Sequence, residues 1–122
     1  PADLATRDHL AGALHLAERL EEALATVEVT LRIAPRRVRS LERRAEIQRS
    51  LRQWKQAEAT YGRLLREAPD QFNAWVNRGT LNHRLGNLEV AIDCLRNAVR
   101  IRPESVPARN LLMRYLDELR GN

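Results

Sequence analysis

Residues 72–105 read FNAWVNRGTLNHRLGNLEVAIDCLRNAVRIRPES. Ala74, Trp75, Gly79, Leu81 and Leu85 fall at helical spacing and give a first helix one apolar or small stripe. Gly86-Asn87 then interrupts the pattern, as glycine does just past a helix end. A second stripe follows through Leu88, Ala91, Ile92, Leu95, Ala98, Val99 and Ile101. Pro103 closes it, because proline lacks an N–H and biases the preceding residue away from helix. The stretch is two helices joined by a tight turn.

The same pattern recurs on both sides. Proline stands at Pro35, Pro69 and Pro103, alanine at Ala23, Ala57 and Ala91, and both series step by 34 residues. Two unrelated residue types in phase at one period mark a tandem repeat, and 34 is the length of one helix-turn-helix unit. One period back, Leu41, Ala45, Leu51, Ala57, Tyr61, Leu64 and Pro69 are in register; a further period back lie Leu10, Ala11, Leu14, Ala23, Val27 and Pro35. One period forward, Val106, Leu112, Met113, Leu116 and Leu119 supply a first helix with no second. Helices are predicted at about 3–17, 20–34, 37–51, 54–67, 71–85, 88–101 and 105–120.

The unit resembles a tetratricopeptide repeat (TPR). Trp75, Gly79, Leu85-Gly86, Ala91, Leu95, Ala98 and Pro103 stand at its characteristic positions, Leu95 replacing the usual aromatic. The likeness extends over repeats at about 4–37, 38–71 and 72–105 and a terminal helix at 106–120. It implies an all-α fold, a right-handed α-solenoid of antiparallel helix pairs with about seven helices, forming one domain over residues 1–122. Arg44 and Arg78 depart from a usual Leu, and Gln48 and Asn82 from a usual Tyr. Looser packing is expected there, with the Arg stems covering apolar surface.

Composition narrows the function. Hydrophobic residues make up 43% of the chain, enough for a core, while five Gly and five Pro favour helices over a turn-rich β protein. No apolar run approaches the roughly 18–20 residues of a membrane span. No signal peptide is visible and the chain begins with Pro1, so it reads as a segment of a longer protein, a cytoplasmic setting being favoured. Cys94 has no second cysteine for a disulfide or a multi-cysteine metal site, and is expected to act as a small hydrophobe. His9, His15 and His83 lack the i, i+4 pairing or the Cys and carboxylate company of a metal site. No nucleophile elbow, glycine-rich phosphate loop or paired-carboxylate motif is present in the sequence. The expectation is a chain without catalytic residues, metal or cofactor.

Net charge is +5, which raises the question of nucleic acid. Only Lys55 among the 21 basic residues is lysine, a bias that reads as bacterial-like genomic composition, and 16 acidic residues are interspersed with the arginines. The seven arginines from Arg36 to Arg52 could contact phosphates. Trp54 and Tyr61, however, occupy packing positions of the repeat, so no aromatic platform remains for stacking bases. Nucleic acid ranks below protein as a partner.

Removing the core stripe from each first helix leaves positions at spacings of three and four that form one face. In TPR arrays this face lines the concave groove. It comprises Ala5, Asp8, His9, Gly12, His15 and Leu16; then Arg39, Glu42, Arg43, Glu46, Arg49 and Ser50. Next come Asn73, Val76, Asn77, Thr80, His83 and Arg84, and finally Asn110, Leu111, Arg114, Asp117 and Glu118. Arg39, Arg43, Arg49 and Arg84 are the candidate patch for an acidic or C-terminal peptide segment, since arginine forks hold carboxylates bidentately. Alternatively, Glu42 and Glu46 neutralise them through helix-surface pairs.

Asn77 matches a position where some TPR arrays grip an extended backbone with an amide. His9, Arg43 and Leu111 hold the equivalent sites, leaving one rung with Asn73 beside it, or two amides that bond neighbouring helices and water. The Lys/Asn/Arg clamp of TPR co-chaperones for heat-shock proteins maps onto Asp8, Gly12, Arg43, Asn73 and Asn77. Asp8 should repel a carboxylate and Gly12 offers no side chain, which counts against that partner class. The resemblance therefore implies a protein–protein interaction scaffold, or else a substrate-docking module of a larger enzyme such as a transferase. The last helix is apolar around most of its circumference, so a following repeat or self-association is expected to cover it.

Overall fold

The computed structural model describes residues 3–121. It contains, among those residues, seven helices and no strand: α1 (Leu4–Leu16), α2 (Leu20–Ile33), α3 (Val38–Ser50), α4 (Trp54–Glu67), α5 (Phe72–Arg84), α6 (Leu88–Ile101) and α7 (Val106–Leu119). Every predicted helix is present with ends within one residue of expectation. Pro1, Ala2 and Asn122, at the ends of the domain expected over residues 1–122, lie outside the described residues.

Contacts divide the chain after Glu67 into two compact units. In the first, α1 packs on α2, α2 on α3 and α3 on α4, and α1 also touches α3; in the second, α5 packs on α6 and α6 on α7. The core of the first unit is built from Ala11, Ala23, Val27, Leu41, Ala45, Ile47, Ala57, Tyr61 and Leu64, all fully or almost fully buried. The second buries Ala91, Ile92, Cys94, Leu95, Ala108 and Tyr115, with Phe72, Trp75, Leu88, Val99, Leu112 and Leu116 packed against them. Leu10, in register with core positions, is instead half exposed on α1.

Each hairpin is tightened by small residues. Ala11, Ala45 and Gly79 repeat on the first helices, Ala23, Ala57 and Ala91 on the second, and all six are buried. At Gly79 the fit leaves no room for a side chain. A Cβ there would stand 2.2 Å from Leu95 Cδ2, 3.2 Å from Cys94 Cβ and 3.3 Å from the Ala91 carbonyl oxygen.

The turns inside the hairpins repeat in the same phase. After α1, Glu18 and Arg19 donate backbone N–H bonds to the His15 and Leu14 carbonyls; Arg52 and Gln53 repeat this on Arg49 and Gln48, and Gly86 and Asn87 on His83 and Asn82. These paired bonds close the helix end and require one left-handed residue. That residue is Glu18 (φ 60°), Arg52 (φ 59°) and Gly86 (φ 83°). Glycine adopts the conformation without a steric cost, whereas Glu18 and Arg52 bear one.

The polar replacements are packed, not loose. Gln48 and Asn82 are buried. Gln48 Oε1 accepts a 2.6 Å bond from Thr60, and Arg44 Nε donates to the same hydroxyl at 3.1 Å while facing Glu28 at 3.7 Å. A buried amide costs little once its bonds are made. The loops between hairpins are tied by side chains: Arg63 donates to the Pro35 carbonyl at 3.0 Å, and the Trp75 indole donates to that of Pro69 at 2.7 Å. In α7 most apolar residues turn inward, which leaves Val106, Met113 and Leu119 exposed and corrects the expectation of an apolar circumference.

Two stability outcomes are expected. Gly79→Ala should destabilise the fold by about 1–2 kcal/mol, overpacking outweighing the gain in helix propensity, read as a lowered melting temperature. Arg52→Gly should stabilise by about 0.5–1 kcal/mol by relieving the left-handed backbone, read as a raised urea midpoint at unchanged slope.

Candidate functional site

In the first unit the candidate face lies on α1 and α3. Arg43, mid-way along α3, lays its guanidinium against α1 at Gly12. A Cβ on Gly12 would come within 2.8 Å of Arg43 Cζ and 2.9 Å of Nη2. The missing side chain is thus the seat of the arginine, and the two positions form one feature. Arg43 Nε is buried without a hydrogen-bond partner.

Glu46, one turn further along α3, is half-buried. Burial holds its carboxyl above the usual range and Glu42 pushes the same way, against opposing pulls from Arg43, His15 and Arg49. Arg39 pairs with Glu42 at 3.5 Å, both partly exposed, so the neutralising pairs expected of this surface exist in part. Arg49 donates to the Tyr61 hydroxyl of α4 at 3.1 Å. His15 Nε2 and Ser50 Oγ stand 2.7 Å apart, joining the ends of α1 and α3.

Asp8 does not belong to this face. It is 2% exposed. Its carboxylate accepts from Arg37 Nε at 2.9 Å and from Ser40 Oγ at 2.7 Å, a charge-assisted pair that removes it from contact with a ligand. The expected repulsion of a carboxylate by Asp8 therefore has no exposed charge behind it. No periodicity signalled this, because a buried ion pair depends on the partner helix.

In the second unit the candidate residues lie on α5 and α7. His83 is the best defined. Its ring stacks on Tyr115 with centroids 4.4 Å apart and planes 8° from parallel. Its Nε2 faces both Glu118 oxygens at 2.8 and 3.0 Å. Arg114 lies 5.6 Å from the Tyr115 ring centre, and burial pushes the Tyr115 phenol up, partly offset by a hydrogen bond from Arg114. Neither the stack nor the His83–Glu118 hydrogen bond is legible in the sequence. The hydrogen bond repeats an offset of the first unit, His15–Ser50 and His83–Glu118 each being 35 residues apart; the His83–Tyr115 stack does not share it.

Thr80 spends its hydroxyl on the Asn77 carbonyl at 3.1 Å. Asn73, Arg84 and Asn110 are exposed and Asn77 is half-buried. Val76 and Leu111, expected along the face, pack against the core instead. Among the described residues no group of three or more His, Cys, Asp or Glu is placed to hold a metal, and no helix is long and apolar enough to cross a membrane.

Comparison with known proteins gives a consistent answer. The tetratricopeptide repeat model matches residues 46–115. No curated protein matches. Among solved structures, a tetratricopeptide repeat protein from Parabacteroides merdae superposes with TM-score 0.90 at 29% identity over 100% of this chain and 47% of its own. The first TPR of Spaghetti (RPAP3), bound to the HSP90 peptide SRMEEVD, gives 0.87 at 17% identity, covering 95% of this chain and 92% of that one. MamA AMB-1 gives 0.88 at 19% identity over 96% and 64% of the respective chains. The chain thus spans less than two thirds of two of these structures and nearly all of the third.

The carboxyl of Glu46 provides a test of the face. A carboxyl whose folded-state value is raised binds its proton more tightly in the fold, so its ionisation opposes folding as pH rises through that range. Glu46→Gln should therefore stabilise the protein at pH 7, and the difference from wild type should vanish below about pH 4, where Glu is neutral in both states. Denaturation midpoints at several pH values check this.

Proposed function

Because the chain belongs to the tetratricopeptide repeat family, we propose that it is a protein–protein interaction scaffold whose first helices hold a peptide segment of a partner. The repeats are taken as 4–37, 38–71 and 72–105, with the terminal helix at 106–120. The role of each face is passive presentation, not catalysis: a preorganised surface lowers the ordering cost of binding.

The observation that carries the proposal is Arg43 seated on Gly12 with a buried, unpartnered Nε. A fixed guanidinium beside a partly neutralised Arg/Glu surface favours an acidic side chain or a C-terminal carboxylate. Arg39, Glu42, Glu46 and Arg49 set the field around it. Asn73, Asn77, Thr80, His83, Arg84, Asn110 and Arg114 are the corresponding contacts proposed on the second unit, where amides can accept and donate along a peptide backbone. An acidic peptide is bound by one protein of this fold, the first TPR of Spaghetti. The exposed residues of α7 are proposed as a second contact surface, open to self-association.

The test is a fluorescence-anisotropy titration with a labelled peptide carrying several Glu residues and a free C-terminal carboxylate. Arg43→Glu should weaken binding roughly 10–100-fold, the range of a lost charge-assisted bond. Arg84→Glu should weaken it less. Wild-type affinity in Arg43→Glu, with the fold intact by circular dichroism, would remove this face from the account. A matched single-stranded oligonucleotide titration at low and physiological salt separates peptide from nucleic-acid binding.

A further inference from the structure

The register of α7 departs from that of the other first helices at two places. At the close-approach position, where Ala11, Ala45 and Gly79 are buried beneath second helices, α7 carries Met113, 62% exposed. At the end of the helix, the left-handed residue recurs at 18, 52 and 86 and its next place in phase is Arg120. Left-handed backbone appears one residue later, at Gly121 (φ 81°), and Arg120 has φ −80°. A second helix seated as α6 is on α5 needs a small residue beneath it, as the fit at Gly79 demonstrates. Met113 and the displaced turn both oppose that arrangement on α7.

The exposed stripe has a different complement. At 100° per residue, Val106, Arg109, Met113, Asp117 and Arg120 share one face of α7, opposite the buried Ala108 and Tyr115. Its charges are arranged symmetrically about Met113, with Arg109 four residues before and Asp117 four residues after. A two-fold contact makes residue i of one copy meet residue j of the other, and j meet i. Deepening the proposal of α7 as a contact surface, we propose that α7 pairs antiparallel with α7 of a second copy of this chain, about a two-fold axis at Met113. Met113 then meets its own copy, Arg109 faces the partner copy's aspartate at position 117 twice over, and the stem of Arg120 covers Val106. Asp117 already pairs with Arg120 along its own helix at 3.4 Å, and the exposed geometry leaves a carboxylate oxygen for the second cation. Methionine suits such an axis, because its flexible thioether adapts to an identical neighbour.

A single helix pair buries less than the ~800 Å² per partner of a stable complex, so the dimer is weak and reversible. Sedimentation equilibrium on the whole chain between about 10 µM and 1 mM should show the average mass rising towards twice the monomer. Met113→Glu, which sets two carboxylates on the axis at an exposed position, should keep the chain monomeric throughout. Arg109→Asp or Asp117→Arg alone should weaken association roughly 5–10-fold, and the two together should restore it to within about 3-fold of wild type. A monomer at 1 mM, association that survives Met113→Glu, or no recovery in the double reversal each overturns the pairing. The acidic-peptide titration on Met113→Glu distinguishes the two proposals: unchanged peptide affinity with lost dimer is expected, and loss of both would place the peptide on α7.

Discussion

Everything in this chain depends on keeping helical hairpins in phase, and the phase is held by one backbone residue in each. A first helix must stop, reverse and deliver the second helix onto a small residue two turns back. Closing the end with bonds to carbonyls three and five residues behind fixes where the reversal happens. The left-handed residue therefore recurs at 18, 52 and 86 whatever its side chain. A shift of one position would turn the small residues of the second helix away from Ala11, Ala45 and Gly79. The steric cost at Glu18 and Arg52 is tolerated because the packing that follows is worth more.

This accounts for how far the sequence could be read. Pro103 and Gly86-Asn87 are local signals that act through the backbone, and they placed helix ends to within a residue. The 34-residue step then carried those ends to segments whose own signals are poor, such as α1. Arg52 was not legible as a left-handed residue, because nothing in an arginine announces that conformation. Only the phase, carried from Gly86, identifies it.

The candidate face was less legible, for a related reason. Periodicity assigns a residue to a side of its helix but not to a partner. Asp8 sits at the outer spacing of α1 and is nevertheless buried by Arg37 and Ser40. Gly12 looks like an absent side chain and is in fact the floor under Arg43. His83 reads as one polar residue among several, yet Tyr115 and Glu118 hold it from another helix. In each instance the sequence named the atoms and the neighbouring helix decided their use. Glu46 shows the same dependence, since helix packing keeps it half-buried among like and unlike charges.

The same rule gives departures from phase their meaning. Gln48 and Asn82 break the family pattern but keep the geometry, because Thr60 and neighbouring backbone satisfy their amides. Those substitutions change what lies inside a hairpin and leave its helix pairing unaltered. Met113 and Gly121 differ in kind, since one enlarges the seat of the next helix and the other moves its turn. Two changes at separate points, each sufficient to disturb a repeat-phase helix, select against the same neighbour. Val106 and Met113 stay in the open there, with Arg109 and Asp117 at equal distances on either side of Met113, which is the arrangement on which the proposed two-fold pairing rests.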